Sequence, residues 1–159
     1  KTLMKLSVLQ ELKMKKKSGI YCIKNLTNNK QEQARVAMRL VQDLDYAQVF
    51  DSNYMDAYPY EVLYAQRGVC GEKSRLMIYL FRGLGFGSAY MIFHSENHAV
   101  AGIKCPEGYD YRETGYCFVE ATDIARPGYS SFEYIDVGQL YSMPEVIVVS
   151  DGDTFTKII

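Results

Sequence analysis

Residues 67–85 of this chain read RGVCGEKSRLMIYLFRGLG, and they contain its most informative pattern. Apolar residues recur there three and four positions apart, which predicts a helix over residues 70–84 that faces a core on one side. Gly68 precedes the helix and Gly85 follows it, as expected at helix boundaries. Cys70 is therefore the first residue of the helix. The apolar positions that set the period are Leu76, Met77, Leu80, Phe81 and Leu84.

Cys70 is a candidate nucleophile because of this position. Unpaired backbone N–H groups and the positive end of the helix dipole favour a thiolate over a thiol. Gly68 and Gly71 leave room beside it for the backbone of a substrate. The alternative is a small cysteine that fills a gap in the core. Lys73 and Arg75 follow on the same helix. They could help to hold the thiolate, but are interpreted as solvated side chains.

His98 is the candidate partner of the thiol. A nucleophilic cysteine needs a group that takes its proton and returns it to the leaving group, and this group is usually histidine. His98 opens a predicted strand, His98-Ala99-Val100-Ala101-Gly102-Ile103. The only other histidine, His94, is four positions away, but the segment has a strand pattern, and a metal pair at that spacing needs a helix. We therefore expect no metal site.

Glu120 is the candidate third member of the site. If strands 98–104 and 116–120 pair with Lys104 opposite Thr114, then His98 lies opposite Glu120. Directly opposed residues share one face of a sheet, so the carboxylate would accept a hydrogen bond from the imidazole and fix its tautomer.

The same register bears on the cysteines, which occur at positions 22, 70, 105 and 117 without a CxxC pair. Cys105 and Cys117 would be about 13 Å apart along the strands, which is too far for a disulfide. The register therefore predicts that these two cysteines are not bridged.

Helical patterns precede short β-rich runs along the chain, and this order predicts an α+β fold with an antiparallel sheet. The N-terminal helices and the helix that begins at Cys70 would pack on that sheet. We expect one domain over residues 1–159, with a helical part at 1–50, a catalytic core at 58–125 and C-terminal strands at 126–159. The predicted helices cover residues 3–14, 31–44 and 70–84, and the predicted strands cover 89–93, 98–104, 116–120, 134–135 and 146–149.

Composition excludes several classes of protein. Hydrophobic residues make up 48% of the chain and charged residues 23%, which is typical of a globular domain. The net charge of -1 argues against nucleic acid as a partner. No apolar run is long enough to span a bilayer. Because the chain begins with a lysine, we expect that an upstream segment was removed. Any membrane contact would come from that segment or from the lysine-rich residues 1–17, and the compartment stays open.

Three motifs, taken in chain order, resemble the transglutaminase-like superfamily. They are Gly68-Val69-Cys70, His98-Ala99-Val100 and Val119-Glu120-Ala121-Thr122, which match a Gly-x-Cys helix start, a His-Ala strand and an Asp-Pro-Thr-like strand end. The resemblance covers roughly residues 31–125. Two further segments look like those of small prokaryotic members, namely Tyr58-Pro59-Tyr60-Glu61-Val62-Leu63 and the helix end Leu80-Phe81-Arg82-Gly83-Leu84-Gly85.

The resemblance implies a papain-like core in which Cys70 is the nucleophile, His98 the general base and acid, and Glu120 the residue in place of the family's aspartate. Glutamate is one methylene longer than aspartate, so Asp123 is the substitute if Glu120 points away. The chain has no tryptophan. An oxyanion helper would therefore be Tyr64 or Gln66, beside the backbone N–H of Cys70 and next to Gly71 on the substrate side.

The activity that the resemblance implies is thiol-dependent acyl transfer on amide bonds, without a cofactor. We expect hydrolysis of a peptide or side-chain amide, as in a cysteine peptidase or amidase, with a peptide or protein as substrate. Cross-linking of protein glutamine to an amine is the alternative within the enzymes. A catalytically degenerate module that binds peptides or proteins is the non-enzymatic alternative, favoured by the change from aspartate to glutamate.

Overall fold

A computed structural model describes residues 19–48, 56–129 and 140–158. The helix predicted over residues 3–14 and the strand predicted at 134–135 lie outside these ranges. Within them, helices and a four-stranded antiparallel sheet confirm the α+β class.

The described residues form four α-helices, which come mainly from the first half of the chain. They are α1 (Gly19–Leu26), α2 (Lys30–Gln42), α3 (Pro59–Ala65) and α4 (Cys70–Leu84). The helix α2 begins where the Asn29 side chain accepts hydrogen bonds from the backbone N–H groups of Gln31 and Glu32, at 3.0 and 3.2 Å. The helix α4 ends at Gly85, whose φ of 85° is a left-handed conformation that glycine adopts without strain. The helix predicted from Cys70 to Leu84 is confirmed, whereas α1 was not predicted.

The main sheet has the spatial order β5-β4-β3-β6, and each neighbouring pair of strands is antiparallel. Its strands are β3 (Ser88–Phe93), β4 (His98–Lys104), β5 (Tyr116–Val119) and β6 (Glu145–Ser150). Two short segments, β1 (Asp45–Tyr46) and β2 (Arg67–Gly68), form a separate parallel pair just before α4. His98 is thus the first residue of a central strand.

The helix α4 packs directly on the sheet and builds the main core. Its side chains Leu76, Met77, Leu80 and Phe81 are fully buried together with Ala101, Ile103 and Val119 of the sheet. Burial of each large apolar side chain stabilises the fold by about 1.5–3 kcal/mol. The Ser74 hydroxyl of α4 also donates to the carbonyl oxygen of Ala99 at 3.0 Å. This packing fixes the helix that begins at Cys70 on the strand that begins at His98.

The register of the β4–β5 hairpin differs from the predicted one by two residues. Lys104 lies opposite Tyr116, and Ile103 lies opposite Cys117. The difference arises in the connecting loop, where a 3₁₀ turn over Tyr111–Glu113 and a positive φ of 78° at Gly115 delay the start of β5.

The two-residue shift brings Cys105 and Cys117 together. They form a disulfide with a Cα–Cα distance of 5.6 Å. The prediction that these cysteines are not bridged was therefore wrong. The free cysteines among the described residues are Cys22, which is buried, and Cys70, which is partly buried. None of the described helices is long and apolar enough to cross a membrane.

Candidate active site

Cys70 occupies the first position of α4, after Val69 in an extended conformation. The carboxylate of Glu72 holds this helix start in place, because it accepts the backbone N–H of Val69 at 2.9 Å and that of Ala57 at 2.6 Å. Gly68 packs so closely that an added Cβ would lie 3.1 Å from Val62. The thiol is thus presented by a rigid helix end.

His98 lies almost wholly inside the protein, with 4% of its surface exposed. Its Nε2 donates to Oε2 of Glu120 across 3.0 Å. The imidazole also interacts with the thiol of Cys70, and each group shifts the pKa of the other. The structure therefore brings together the three residues that the sequence predicted as a catalytic set.

Glu120 is the first residue after β5 and is 1% exposed. One carboxylate oxygen faces His98, and the other accepts hydrogen bonds from the N–H of Ala121 at 2.9 Å and the N–H of Thr122 at 2.8 Å. The Thr122 hydroxyl donates to the same oxygen at 2.6 Å. Burial raises the pKa of Glu120, but the hydrogen bond and charge of His98 and the Thr122 donors outweigh it and lower the pKa overall.

Asp123, the substitute for Glu120, lies outside this network. Its side chain is exposed and accepts the N–H of the next residue, Ile124, at 2.6 Å. The structure thus brings Glu120, and not Asp123, to the imidazole.

The electrostatics of the Cys70–His98 pair favour the ionised form. Burial raises the pKa of the Cys70 thiol, but hydrogen bonding and the charge of His98, together with the N–H groups of Ala99 and Gly71, lower it overall. Burial lowers the pKa of His98, whereas hydrogen bonds with Cys70 and Glu120 and their negative charges raise it to about 9. Each partner thus stabilises the charge of the other, which is the condition for a thiolate–imidazolium pair.

The two side chains predicted to help an oxyanion lie at the end of α3. Tyr64 is 78% exposed, and Gln66 is partly buried in a left-handed conformation with a φ of 58°. Neither side chain hydrogen-bonds to Cys70 or His98 within the described part of the chain. Their role stays a prediction. Gly71, also predicted on the substrate side, directly follows Cys70, and its N–H helps to lower the pKa of the thiol.

Tyr90 of β3 is a site residue that the sequence reasoning missed. An added Cβ on Gly71 would lie 2.9 Å from the Tyr90 hydroxyl. The phenol of Tyr90 therefore packs against Gly71, which directly follows the candidate nucleophile Cys70. Burial raises the pKa of Tyr90, Arg75 lowers it through its charge and a hydrogen bond, and the charge of Cys70 raises it further. Arg75 in turn pairs with Asp56 at 3.0 Å. The side chains of β3 alternate between the two faces of the sheet, and this alternation could have predicted the position of Tyr90. Its neighbours Ala89 and Met91 pack in a second hydrophobic cluster on the other face of the sheet.

Lys73 is wholly buried, with 0% exposure, so its interpretation as a solvated side chain was wrong. Its ammonium donates to the carbonyl oxygen of Leu44 at 2.7 Å. Arg75, which was also interpreted as solvated, is only 35% exposed in the ion pair with Asp56. The interior near Glu120 is further held by Gln42, whose amide donates to the carbonyl oxygens of Glu120 and Ala125 at 3.0 and 2.9 Å.

Within the described ranges, no group of three histidine, cysteine, aspartate or glutamate side chains could hold a metal ion. His94 lies on the surface and bonds to Glu145 at 2.7 Å.

Comparison with protein families agrees with this geometry. The family model of the transglutaminase-like superfamily matches residues 20–122, which include Cys70, His98 and Glu120. A search of the curated proteins returned no significant match. The matched segment covers more than half of the chain and holds a fold that supports thiol-dependent acyl transfer. The chain belongs to the transglutaminase-like superfamily.

Proposed function

We propose that this protein is a cysteine hydrolase that cleaves an amide bond of a peptide or protein. The observation that carries the proposal is the arrangement of His98, hydrogen-bonded to the buried Glu120 at 3.0 Å, beside the partly buried Cys70 thiol at the start of α4. Cys70 and His98 shift each other's pKa toward the ion pair. A lowered thiol pKa beside a raised imidazole pKa is the combination that thiol catalysis uses, and perturbed pKa values of this kind cluster at functional sites.

The reaction begins when the Cys70 thiolate attacks the carbonyl carbon of the amide. The C–N bond then breaks, and His98 transfers its proton to the leaving nitrogen, which departs as an amine. The acyl group remains on the sulfur as a thioester. Water attacks this thioester while His98 takes a proton from the water, and the C–S bond breaks to release the acid and regenerate the Cys70 thiolate beside protonated His98.

Glu120 acts on His98 and not on the substrate. Its carboxylate accepts the Nε2–H, so Nδ1 is the nitrogen left to exchange a proton with the sulfur. The negative charge of Glu120 stabilises the imidazolium that forms when the thiol ionises. Glutamate can replace the family's aspartate here because its extra methylene reaches the ring from the position after β5.

Water is the favoured acceptor of the acyl group, but an amine acceptor would make the protein a cross-linking enzyme. Profiling with electrophilic peptide probes tests the proposal, followed by mass spectrometry of peptides treated with the protein in the presence of a primary amine. We expect a covalent adduct on Cys70 and new acid products that contain water oxygen. Predominant amine incorporation would assign cross-linking instead.

Two variants control this experiment. Cys70→Ser should abolish both the adduct and the products. Cys22→Ala removes the other free cysteine of the described chain, which is buried on α1, and should change neither. Labelling of Cys70 at the rate of an ordinary thiol, with no product from any peptide, would favour the binding module over the enzyme.

A further inference from the structure

Arg75 places a guanidinium group beside the candidate nucleophile, and the proposed reaction does not use it. It lies four residues after Gly71 on α4, so the two residues share one face of the helix, one turn apart. Side chains on a helix lean toward its N-terminus. The Nη1 atom of Arg75 accordingly reaches back to 3.8 Å from the position that a Cβ on Gly71 would occupy.

The space over Gly71 is bordered by two hydrogen-bond donors. The hydroxyl of Tyr90 lies 2.9 Å from the same Cβ position that Arg75 approaches. Because glycine has no side chain, a substrate that reaches Cys70 can pass close to both groups. Arg75 and Tyr90 are each partly exposed, as a site open to a substrate requires. A guanidinium is always charged and only donates hydrogen bonds, so it favours an anionic group in this space.

The ion pair between Arg75 and Asp56 is of a kind that exchanges easily. Nη2 of Arg75 lies 3.0 Å from Oδ2 of Asp56, and this is the one ion pair of Arg75 within the described ranges. The side chain of Asp56 is 68% exposed, against 35% for Arg75, so water competes for the carboxylate and the pair contributes little to stability. A guanidinium can bind a carboxylate through two of its nitrogens. A carboxylate that arrives over Gly71 can therefore replace Asp56.

We propose that Arg75 determines the specificity of this site by binding a carboxylate of the substrate, in exchange for Asp56. The proposal rests on the proposed function, in which Cys70 attacks an amide carbonyl. The substrate class is then a peptide with an acidic group next to the bond that is cleaved. That group is a glutamate or aspartate side chain or a free C-terminal carboxylate. Asp56 neutralises the guanidinium until the substrate binds.

Epoxysuccinyl peptide probes test the substrate class in the whole protein, because their electrophile lies between two peptide arms and modifies a reactive thiol. One set of probes compares glutamate with glutamine on either arm, and a second set compares a free with an amidated C-terminus. We expect the wild-type protein to react about 10-fold faster with the acidic member of one set, which also identifies the source of the carboxylate. Arg75→Met should bring the ratio of the two rates close to one. Arg82→Met, an exposed position seven residues further along α4, is the matched control and should keep the wild-type ratio.

Asp56→Asn tests the exchange at an exposed position, where the substitution does not threaten folding. It removes the competing carboxylate, so the preference for the acidic probe should rise by about threefold. A preference that is unchanged or lower in Asp56→Asn would overturn the exchange. A wild-type protein that does not distinguish the members of either set would overturn the specificity role, and so would an acidic preference that survives Arg75→Met.

Failure of the proposed function would give a different result. If no probe modified Cys70, the cysteine hydrolase would be refuted, and binding of the same peptides without the electrophile would then decide the role of Arg75. In isothermal titration calorimetry, we expect the wild-type protein to bind the acidic peptide about 10-fold more tightly than Arg75→Met does. Equal affinity of the two proteins for the acidic peptide would refute the carboxylate site.

Discussion

His98 Nε2 lies 3.0 Å from Glu120 Oε2, although Glu120 follows the last residue of β5 and is not part of the strand ladder. The contact depends on the backbone turn after Val119, where the N–H groups of Ala121 and Thr122 hold the second carboxylate oxygen. The carboxylate is thus oriented from both sides. Its removal would leave the imidazole without a partner that fixes its tautomer.

Glu120→Ala should therefore reduce kcat/KM by about 100-fold or more, because His98 would lose both its orientation and the charge that stabilises the imidazolium. Asp123→Ala is the matched control. Asp123 is exposed and bonds only to the backbone next to it, so its loss should change kcat/KM by less than about twofold. Steady-state kinetics on a cleaved peptide measure both. A larger loss in Asp123→Ala would reassign the third position.

The activity should depend on pH as expected for an imidazolium–thiolate pair. The pKa of Cys70 is lowered and that of His98 is raised to about 9, so the ion pair persists until His98 loses its proton. We expect kcat/KM to rise as the thiol loses its proton, below the usual thiol range, and to fall as His98 loses its proton near pH 9.

His98→Ala provides the test of this assignment. Without the imidazolium, the pKa of the Cys70 thiol should return upward, because burial raises it and the stabilising charge is gone. The alkylation rate of Cys70 near neutral pH should then fall by about 10-fold or more. An alkylation profile that is the same in wild type and His98→Ala would show that the two groups do not titrate together.

Much of the site could be predicted from the sequence because its members sit at element boundaries that the hydrophobic pattern marks. The helix start at Cys70 and the strand start at His98 follow from apolar periodicity alone. Lys73 could also have been placed in the interior, since it is three, four and seven positions before the buried Leu76, Met77 and Leu80. Its charge suggested solvent, whereas its ammonium donates to the Leu44 carbonyl oxygen inside the protein.

The hairpin register could not be predicted, because it depends on loop conformation. Arg112, Glu113 and Gly115 all have positive φ, and for arginine and glutamate this conformation has no clear sequence signature. The loop therefore uses two more residues than assumed, and the predicted contact between His98 and Glu120 forms from a different register. A side chain as long as glutamate tolerates that change.

The Cys105–Cys117 disulfide should stabilise the fold more than it affects catalysis. It closes a short loop, with a sequence separation of 12 residues, and its loss should lower the free energy of unfolding by about 3 kcal/mol. The double variant Cys105→Ala with Cys117→Ala isolates this effect in urea unfolding. Because Cys105 lies at the opposite end of β4 from His98, kcat/KM well below the unfolding range should stay within about threefold of wild type. A large loss of kcat/KM in folded protein would show that the bridge positions the site.

Tyr90 provides a test of which side chain assists the substrate carbonyl. Its hydroxyl stands against Gly71 and is held by Arg75, so it can donate a hydrogen bond near the sulfur, as an oxyanion would require. We expect Tyr90→Phe to lower kcat by about 10-fold to 100-fold while the acid limb of Cys70 alkylation stays nearly unchanged, because the lost hydroxyl would act on the substrate and not on the thiol. Tyr64→Phe, which removes the same atom from an exposed ring, and Gln66→Ala are the comparison variants. If either of them lowers kcat more than Tyr90→Phe, the carbonyl is assisted from the end of α3, as the sequence predicted, and Tyr90 serves only to pack β3 against α4.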